Sequence, residues 1–295
     1  MADALFGKVA FIGIGLIGSS MARRMSADGL VTTIVGCARS EETRDKAVAL
    51  GVVSEAFEDS ADAVDGADLV VIATPIGSYG AIAKAIAPAL KPGAIVTDVG
   101  SVKQAVVDAV APHLNTENAF VPGHPIAGTE DSGPESGFPE LFDGRWTILT
   151  PTDETDAAAV EKVKTLWQSM GAMVDTMTPS HHDMVLAITS HLPHLIAYTI
   201  VGTATDLEDD LRQEVVKYSA SGFRDFTRIA ASDPVMWRDI FLNNRDATLE
   251  TLQRFSEDLT ALQRAIRRGE GDTLEELFAR TRKIRRGIID AKQAD

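Results

Sequence analysis

The run Val9-Ala10-Phe11-Ile12-Gly13-Ile14-Gly15-Leu16-Ile17-Gly18 constrains the fold of this chain more than any other stretch. A short apolar strand passes directly into a glycine-rich turn and the start of a helix, a junction suited to a dinucleotide cofactor. Gly13 permits the tight turn, Gly15 lets backbone approach a pyrophosphate, and Gly18 lets helix and strand pack closely. The phosphates then face the helix N-terminus at Leu16 and Ile17, where free backbone N–H groups favour negative charge.

The first half of the chain repeats that strand-and-helix unit. Residues 9–13, 32–37, 69–74, 94–99 and 119–121 read as short buried strands, with helices at 17–26, 41–50, 79–90 and 102–110 between them. Such alternation builds a mostly parallel sheet covered by helices. A last helix and strand, 154–170 and 172–176, complete that sheet in this reading and leave 123–144 as a long polar loop of functional length. After Thr178 strand character ceases, and helices are expected at 180–203, 206–219, 234–269 and 272–293. The expected fold is an α/β N-terminal dinucleotide-binding domain, Rossmann-like with a mostly parallel sheet, over residues 1–178. An all-helical C-terminal domain for substrate binding and dimerisation follows over residues 179–295.

Composition narrows the partners. A net charge of −15 opposes a general nucleic-acid or anionic-membrane surface, and the basic patch at 280–286 reads as a solvated helix face or subunit contact. Cys37, the single cysteine, excludes an intrachain disulfide and a cysteine metal cluster and fits a reducing compartment. With no targeting signal at the N-terminus, a cytoplasmic location is expected. The apolar stretch 184–202 contains His191, Pro193 and His194, so it reads as a buried helix and not as a membrane span. Helical apolar faces with no sheet to cover them point to a homodimer.

The turn after the second strand, Gly36-Cys37-Ala38-Arg39-Ser40, lacks the acid that commonly receives the ribose hydroxyls of NAD. Arg39 and Ser40 suit a 2′-phosphate, which favours NADP. The competing reading leaves Arg39 in solvent, and Glu41 or Glu42 keeps NAD open. Thr74 and Pro75 end another parallel strand and complete the cofactor set. His191 and His194 have a spacing that suits a metal pair, but no Cys, Asp or Glu motif completes a site, so no metal is expected.

Four later blocks join GIGLIGSS at 13–20: DVGSVK at 98–103, GHPIAGTEDSG at 123–133, TSHLPH at 189–194 and GFRDFTRIAASDPVMWRDI at 222–240. Together they resemble the prephenate/arogenate dehydrogenase family across most of the chain. The resemblance implies oxidation of a small cyclohexadienyl acid, prephenate or arogenate, with loss of the ring carboxylate, in tyrosine biosynthesis. Two rival readings stand beside it, another NAD(P)-dependent hydroxyacid dehydrogenase and a nonenzymatic dinucleotide-sensing protein.

The resemblance also implies residue roles. His124 is the catalytic group, a neutral imidazole that draws on the C4 hydroxyl proton as hydride leaves for nicotinamide. Ser101, which by itself reads as a helix N-cap, gains hydrogen bonds to the substrate hydroxyl and the nicotinamide. Lys103 is placed on the first helical turn, outside the reaction centre. Arg228 anchors a carboxylate, which a guanidinium grips bidentately, and Asp225 either orients it or forms a structural ion pair. His194 lies on the substrate side. His191 supports it, by contacting nicotinamide or fixing helix geometry, and Pro193 kinks the helix between them. Thr129 borders the pocket or caps a turn, Glu130 gates or orients it, and Trp237 closes its apolar side or packs in the core.

Overall fold

The computed structural model describes residues 4–129, 131–206, 214, 217 and 221–290. One sheet holds β1 (Phe6–Ile12), β2 (Val31–Cys37), β3 (Glu55–Phe57), β4 (Leu69–Ile72), β5 (Ile95–Asp98) and β6 (Ala119–Val121). Its spatial order is β3-β2-β1-β4-β5-β6, with every pairing parallel. The direction of winding reverses between β1 and β4, so the carboxyl ends of those strands flank the crevice where open α/β sheets hold ligands.

The central strands are apolar on both faces because both faces are covered. Val9 and Phe11 enter one core with Met21, Met25 and Trp167, whereas Ala10 and Ile12 enter the other with Tyr79, Ile86 and Val106. That is the two-residue period of a strand inside a doubly covered sheet. The cover includes α1 (Leu16–Ala27), α2 (Glu41–Ala49), α3 (Ser60–Val64), α4 (Tyr79–Ile86) and α5 (Gln104–Val110). β3 escapes the sequence reading because it is a three-residue edge strand without an apolar run.

The strand expected at 172–176 forms, but in another sheet. β9 (Met173–Thr176) pairs parallel with β8 (Trp146–Leu149), which pairs antiparallel with β7 (Gly123–Pro125). α6 (Ala157–Ser169) joins β8 to β9. The main sheet therefore ends at β6, and the segment 123–144 opens as a strand and contains 3-10 turns at Pro134–Ser136 and Pro139–Phe142. A three-residue strand ending in proline carries no periodic signal, which is why it reads as loop.

α7 (Pro179–Leu186), a π turn at Ala187–His191 and α8 (Leu192–Thr205) form one continuous helix of 27 residues. Pro193 cannot donate to the carbonyl four residues back, and the π turn lies where that misfit falls. The helix is long and apolar enough, by length and composition, to cross a membrane. Its first half buries His182, Asp183 and His191 among polar partners. The expected burial fails for α8, where Ala197 is the one buried residue and most others are half-covered.

α9 (Ser221–Thr227) and α10 (Pro234–Asn243) follow. The helix expected over 234–269 breaks at Asn244, with φ −114° and ψ 42°, before α11 (Arg245–Arg268) and α12 (Gly271–Asp290). The helix expected at 206–219 falls almost wholly outside the described residues. By compactness the chain divides into Met1–Arg245 and Asp246–Asp295.

Candidate active site

The cofactor end is built from three glycines with different duties. Gly13 has φ +101°, and a Cβ there would stand 2.4 Å from the Ala73 carbonyl oxygen. A Cβ on Gly18 would stand 2.5 Å from the Gly13 carbonyl oxygen, so helix and turn touch directly. Around Gly15 no atom lies within 4 Å of such a Cβ. Its bareness serves no internal packing. Gly15 is also the N-cap of α1, without a side-chain cap and without an acidic residue in the first turn. That leaves N–H groups free behind an open approach, which fits a dinucleotide pyrophosphate. Leu16 is a core residue and offers only backbone, while Ile17 is half-buried.

At the end of β2, Ser40 caps α2 by accepting the Thr43 N–H, and Arg44 donates to the Ala38 and Arg39 carbonyls at 2.8 and 2.9 Å. Arg39 itself is exposed and makes no ion pair among the described residues. At the end of β4, the half-buried Thr74 shares a hydrogen bond of 2.9 Å with Ser78, and Pro75 is exposed beside it.

A buried charge pair joins the end of β5 to the start of β7. Asp98 accepts from the Gly100 N–H at 2.7 Å, the Gly123 N–H at 3.1 Å and Lys103 Nζ at 2.5 Å. Lys103 Nζ also donates to the Gly123 carbonyl at 2.8 Å, and both side chains are 0% exposed. Gly100 precedes Ser101 and Gly123 precedes His124, so one ion pair positions both candidate catalytic residues. Burial pushes the Asp98 carboxyl up and the Lys103 ammonium down, against their mutual attraction. Lys103 therefore belongs to the site and not, as its sequence position implies, to an ordinary helical turn.

Ser101 is not the cap of the following helix. α5 starts at Gln104, and the N–H groups of Lys103 and Gln104 donate to the Asp183 carboxylate at 2.7 and 2.9 Å. An acid from α7 thus caps α5. The half-buried Ser101 hydroxyl keeps no partner among the described residues.

His124 occupies β7 opposite Ile148 and is buried. Its Nδ1 lies 2.8 Å from His182 Nε2, and His182 Nδ1 lies 2.8 Å from Asp183 Oδ1. His124 Nε2 has no partner among the described residues. Burial, then the fields of His182, Lys103 and His191, hold the His124 pKa well below that of free imidazole. Burial also lowers His182, although Asp183 opposes it. Both rings are neutral at pH 7.

His191 Nδ1 accepts from Asn244 Nδ2 at 3.1 Å, and the same amide donates to the Asp183 carbonyl at 2.8 Å. Burial brings the His191 pKa down to about 4. His194 donates from Nδ1 to the Ser190 carbonyl at 2.9 Å and stacks on Trp237 with centroids 3.6 Å apart. Trp237 is a core residue and also the face on which His194 rests. Each imidazole has its own partner, and no group of three or more His, Cys, Asp or Glu is gathered for a metal among the described residues.

Arg228 is exposed in the turn Arg228–Ala231, and its charge, behind burial, helps to lower the His194 pKa. Asp225 does not orient it: Asp225 faces Arg224 at 3.5 Å, in solvent. Thr129 is exposed and accepts the Asp131 N–H at 3.2 Å, the turn-capping alternative. Glu130 lies outside the described residues. Sequence reasoning missed Asp98, His182, Asp183 and Asn244 as site members. Asp98 was visible inside the 98–103 block, and His182-Asp183 as an acid–imidazole step on a helix, whereas Asn244 offered no signal.

Residues 21–176 match the prephenate dehydrogenase nucleotide-binding domain, and residues 178–280 match the prephenate dehydrogenase dimerization domain. The cyclohexadienyl dehydrogenase of Zymomonas mobilis is 43% identical over 281 residues, 95% of this chain and 96% of its own. The crystal structure of prephenate dehydrogenase from A. aeolicus, in complex with hydroxyphenyl propionate and NAD+, has a TM-score of 0.90 at 36% identity, covering 96% of this chain and 98% of that one. Synechocystis arogenate dehydrogenase has a TM-score of 0.81 at 30% identity, with 94% and 98% covered. A dinucleotide turn, a buried neutral histidine at the sheet's carboxyl edge and relatives matched over nearly their whole length converge: the chain belongs to the prephenate dehydrogenase family.

Proposed function

We propose that this chain oxidises prephenate or arogenate, with loss of the ring carboxylate, using NAD(P) in tyrosine biosynthesis. The observation that carries the reading is His124, buried and neutral with Nε2 unpaired among the described residues, on a strand clamped by Asp98 and Lys103 to the turn bearing Ser101. The open N-terminus of α1 at Gly15 would hold the cofactor's pyrophosphate, and the bound nicotinamide would supply the hydride acceptor for ring C4. His124 Nε2 takes the C4 hydroxyl proton as that hydride leaves, and Ser101 holds the same oxygen. The ring carboxylate then departs as carbon dioxide, its bonding pair restores aromaticity, and His124 returns the proton to the phenolic oxygen. Arg228 anchors a substrate carboxylate, with His194 on the Trp237 face beside it. Replacing His124 with Asn lowers kcat by about 10²- to 10⁴-fold, the range of general acid–base catalysis. Near-unchanged turnover at saturating substrate removes His124 from the mechanism. Turnover of a small hydroxyacid, with inertness toward both cyclohexadienyl acids, favours the other dehydrogenase reading.

Between the two cofactors we favour NADP, because Arg39 is exposed and makes no ion pair among the described residues at the end of β2, where the adenosine ribose lies in this fold. Arg39→Ala then lowers kcat/KM for NADP and spares NAD; equal effects on both contradict the choice. We further propose that residues 179–295 act as the substrate-binding and dimerisation domain of a homodimer. The dimerization-domain match at 178–280 and the exposed Leu249, Leu259 and Ile266 along α11 support this. A monomer mass by sedimentation at micromolar concentration counts against it. The free, buried Cys37 thiol suits the cytoplasm.

A further inference from the structure

The histidine that takes the hydroxyl proton is the end of a chain of three side chains. Asp183 receives the N–H groups of Lys103 and Gln104, which can only donate, and its Oδ1 lies 2.8 Å from His182 Nδ1. A carboxylate accepts, so His182 carries its proton on Nδ1. A neutral imidazole has one donor and one acceptor, which leaves His182 Nε2 as an acceptor. Its partner at 2.8 Å, His124 Nδ1, must then be the donor. By the same rule His124 Nε2 carries the unshared pair, and it is the nitrogen without a partner among the described residues.

We propose that Asp183 and His182 act in series as positioning residues for His124, locking it in the Nδ1–H tautomer that presents the Nε2 lone pair to a substrate hydroxyl. A buried carboxylate fixes the imidazole of a hydrolytic triad by the same logic, here extended through a second ring. The geometry does more than orient. When Nε2 gains a proton, the cation that forms already donates through Nδ1 to His182, which donates to a carboxylate, so the charge faces acceptors and no proton need leave His124. Asp183 also holds the turn that follows Ser101, through the Lys103 and Gln104 amides. Asn244 fixes the Asp183 carbonyl in turn, at 2.8 Å. The other charged or titratable groups around His124 are the Lys103–Asp98 pair on the β5 turn and His191 in the π turn.

The tautomer part stands by itself, while the catalytic part rests on the dehydrogenase reading, and the test separates them. In wild-type protein labelled with ¹⁵N-histidine, long-range ¹H–¹⁵N correlation reads which ring nitrogen of His124 bears the proton, the signals assigned by their loss in His124→Asn. The expected result is a protonated Nδ1 and a bare Nε2 at pH 7; the reverse tautomer overturns the proposal. In parallel, His182→Leu removes the acceptor, whereas His182→Gln can still accept from His124 with Oε1 and donate to Asp183 with Nε2. The Leu variant should lose about 100-fold in kcat with substrate KM within about threefold, and the Gln variant should recover at least about tenfold of that loss. A Leu variant within about threefold of wild-type kcat, or a Gln variant no better than a folded Leu variant, overturns the relay. If the Leu variant does not fold, the wild-type tautomer and the Gln variant decide. Absence of wild-type turnover with every substrate and cofactor pair would sink the dehydrogenase reading and leave the tautomer result standing.

Discussion

Lys103→Met tests whether the buried pair organises the site. The substitution keeps most of the side-chain volume and removes the ammonium, leaving the Asp98 carboxylate at 0% exposure with the Gly100 and Gly123 amides as donors and the Tyr79 hydroxyl beside it. Breaking a buried pair from one side costs about 3–5 kcal/mol, because the remaining charge is uncompensated. At roughly 2–4 °C per kcal/mol for a chain of this size class, the melting temperature should fall by about 6–20 °C. Asp98→Asn in the same background removes the stranded charge, so the double variant should melt above the Lys103→Met single variant. A pH series gives a second signature. Burial raises the Asp98 carboxyl in the fold, and a raised folded pKa means stability present below the unfolded carboxylate value, about 3.9, and lost as pH rises through the folded value. Without Lys103 that pKa rises further, so above the unfolded carboxylate value of about 3.9 the variant should go on losing stability with rising pH to a higher pH than wild type does. Differential scanning calorimetry of the parent, both single variants and the double variant supplies all of these numbers. A Lys103→Met protein melting within about 2 °C of the parent, or a double variant as unstable as the sum of its singles, refutes the argument.

Gly15→Ala should melt with the parent yet bind NAD(P) at least about tenfold more weakly, since its methyl enters space that only the pyrophosphate needs. Gly13→Ala should instead lower the melting temperature, because a positive φ and a backbone oxygen 2.4 Å away both oppose a Cβ. Thermal melts with and without cofactor distinguish the two. His124, His182 and His191 have folded pKa values below that of free imidazole, chiefly through burial. Their stabilising contribution is therefore full above about pH 6.5 and lost as pH falls toward the folded values, about 4 for His191. Melts at pH 7.5 and 5 should show that loss, and the acid limb of kcat/KM should lie below pH 6.5; a limb above it contradicts the burial of His124. Arg228→Ala, at an exposed position, should raise substrate KM without changing the melting temperature or the cofactor Kd. Equal losses in substrate and cofactor affinity contradict its placement.

Much of the fold was legible because its signals are local. The apolar runs at β1, β4 and β5 and the Gly13–Gly18 turn depend on covalent neighbours, and the sheet follows from them. The errors came where a tertiary partner decides. β7 is a strand because β8 lies beside it, and nothing in Gly-His-Pro announces that. Ser101 reads as a cap until Asp183 arrives from 80 residues away to take the α5 amides. Lys103 reads as a residue of the first helical turn, outside the reaction centre, until Asp98 and the Gly123 carbonyl are folded around it. Asp225 shares the short helix Ser221–Thr227 with Arg224, whereas Arg228 begins the turn that follows, and sequence spacing alone misassigns its partner. His124 was placed by resemblance, but the two residues behind its Nδ1 are visible only in three dimensions.

The initial rate of nicotinamide reduction with prephenate and with arogenate, each paired with NAD and NADP in one matched assay, tests the dehydrogenase reading most directly. The predicted result is reduction with at least one pair, accompanied by release of one carbon dioxide per nicotinamide reduced and slowed by about 10²- to 10⁴-fold in His124→Asn. Folded, cofactor-binding protein that reduces nicotinamide with neither acid, or at an undiminished rate without His124, contradicts it.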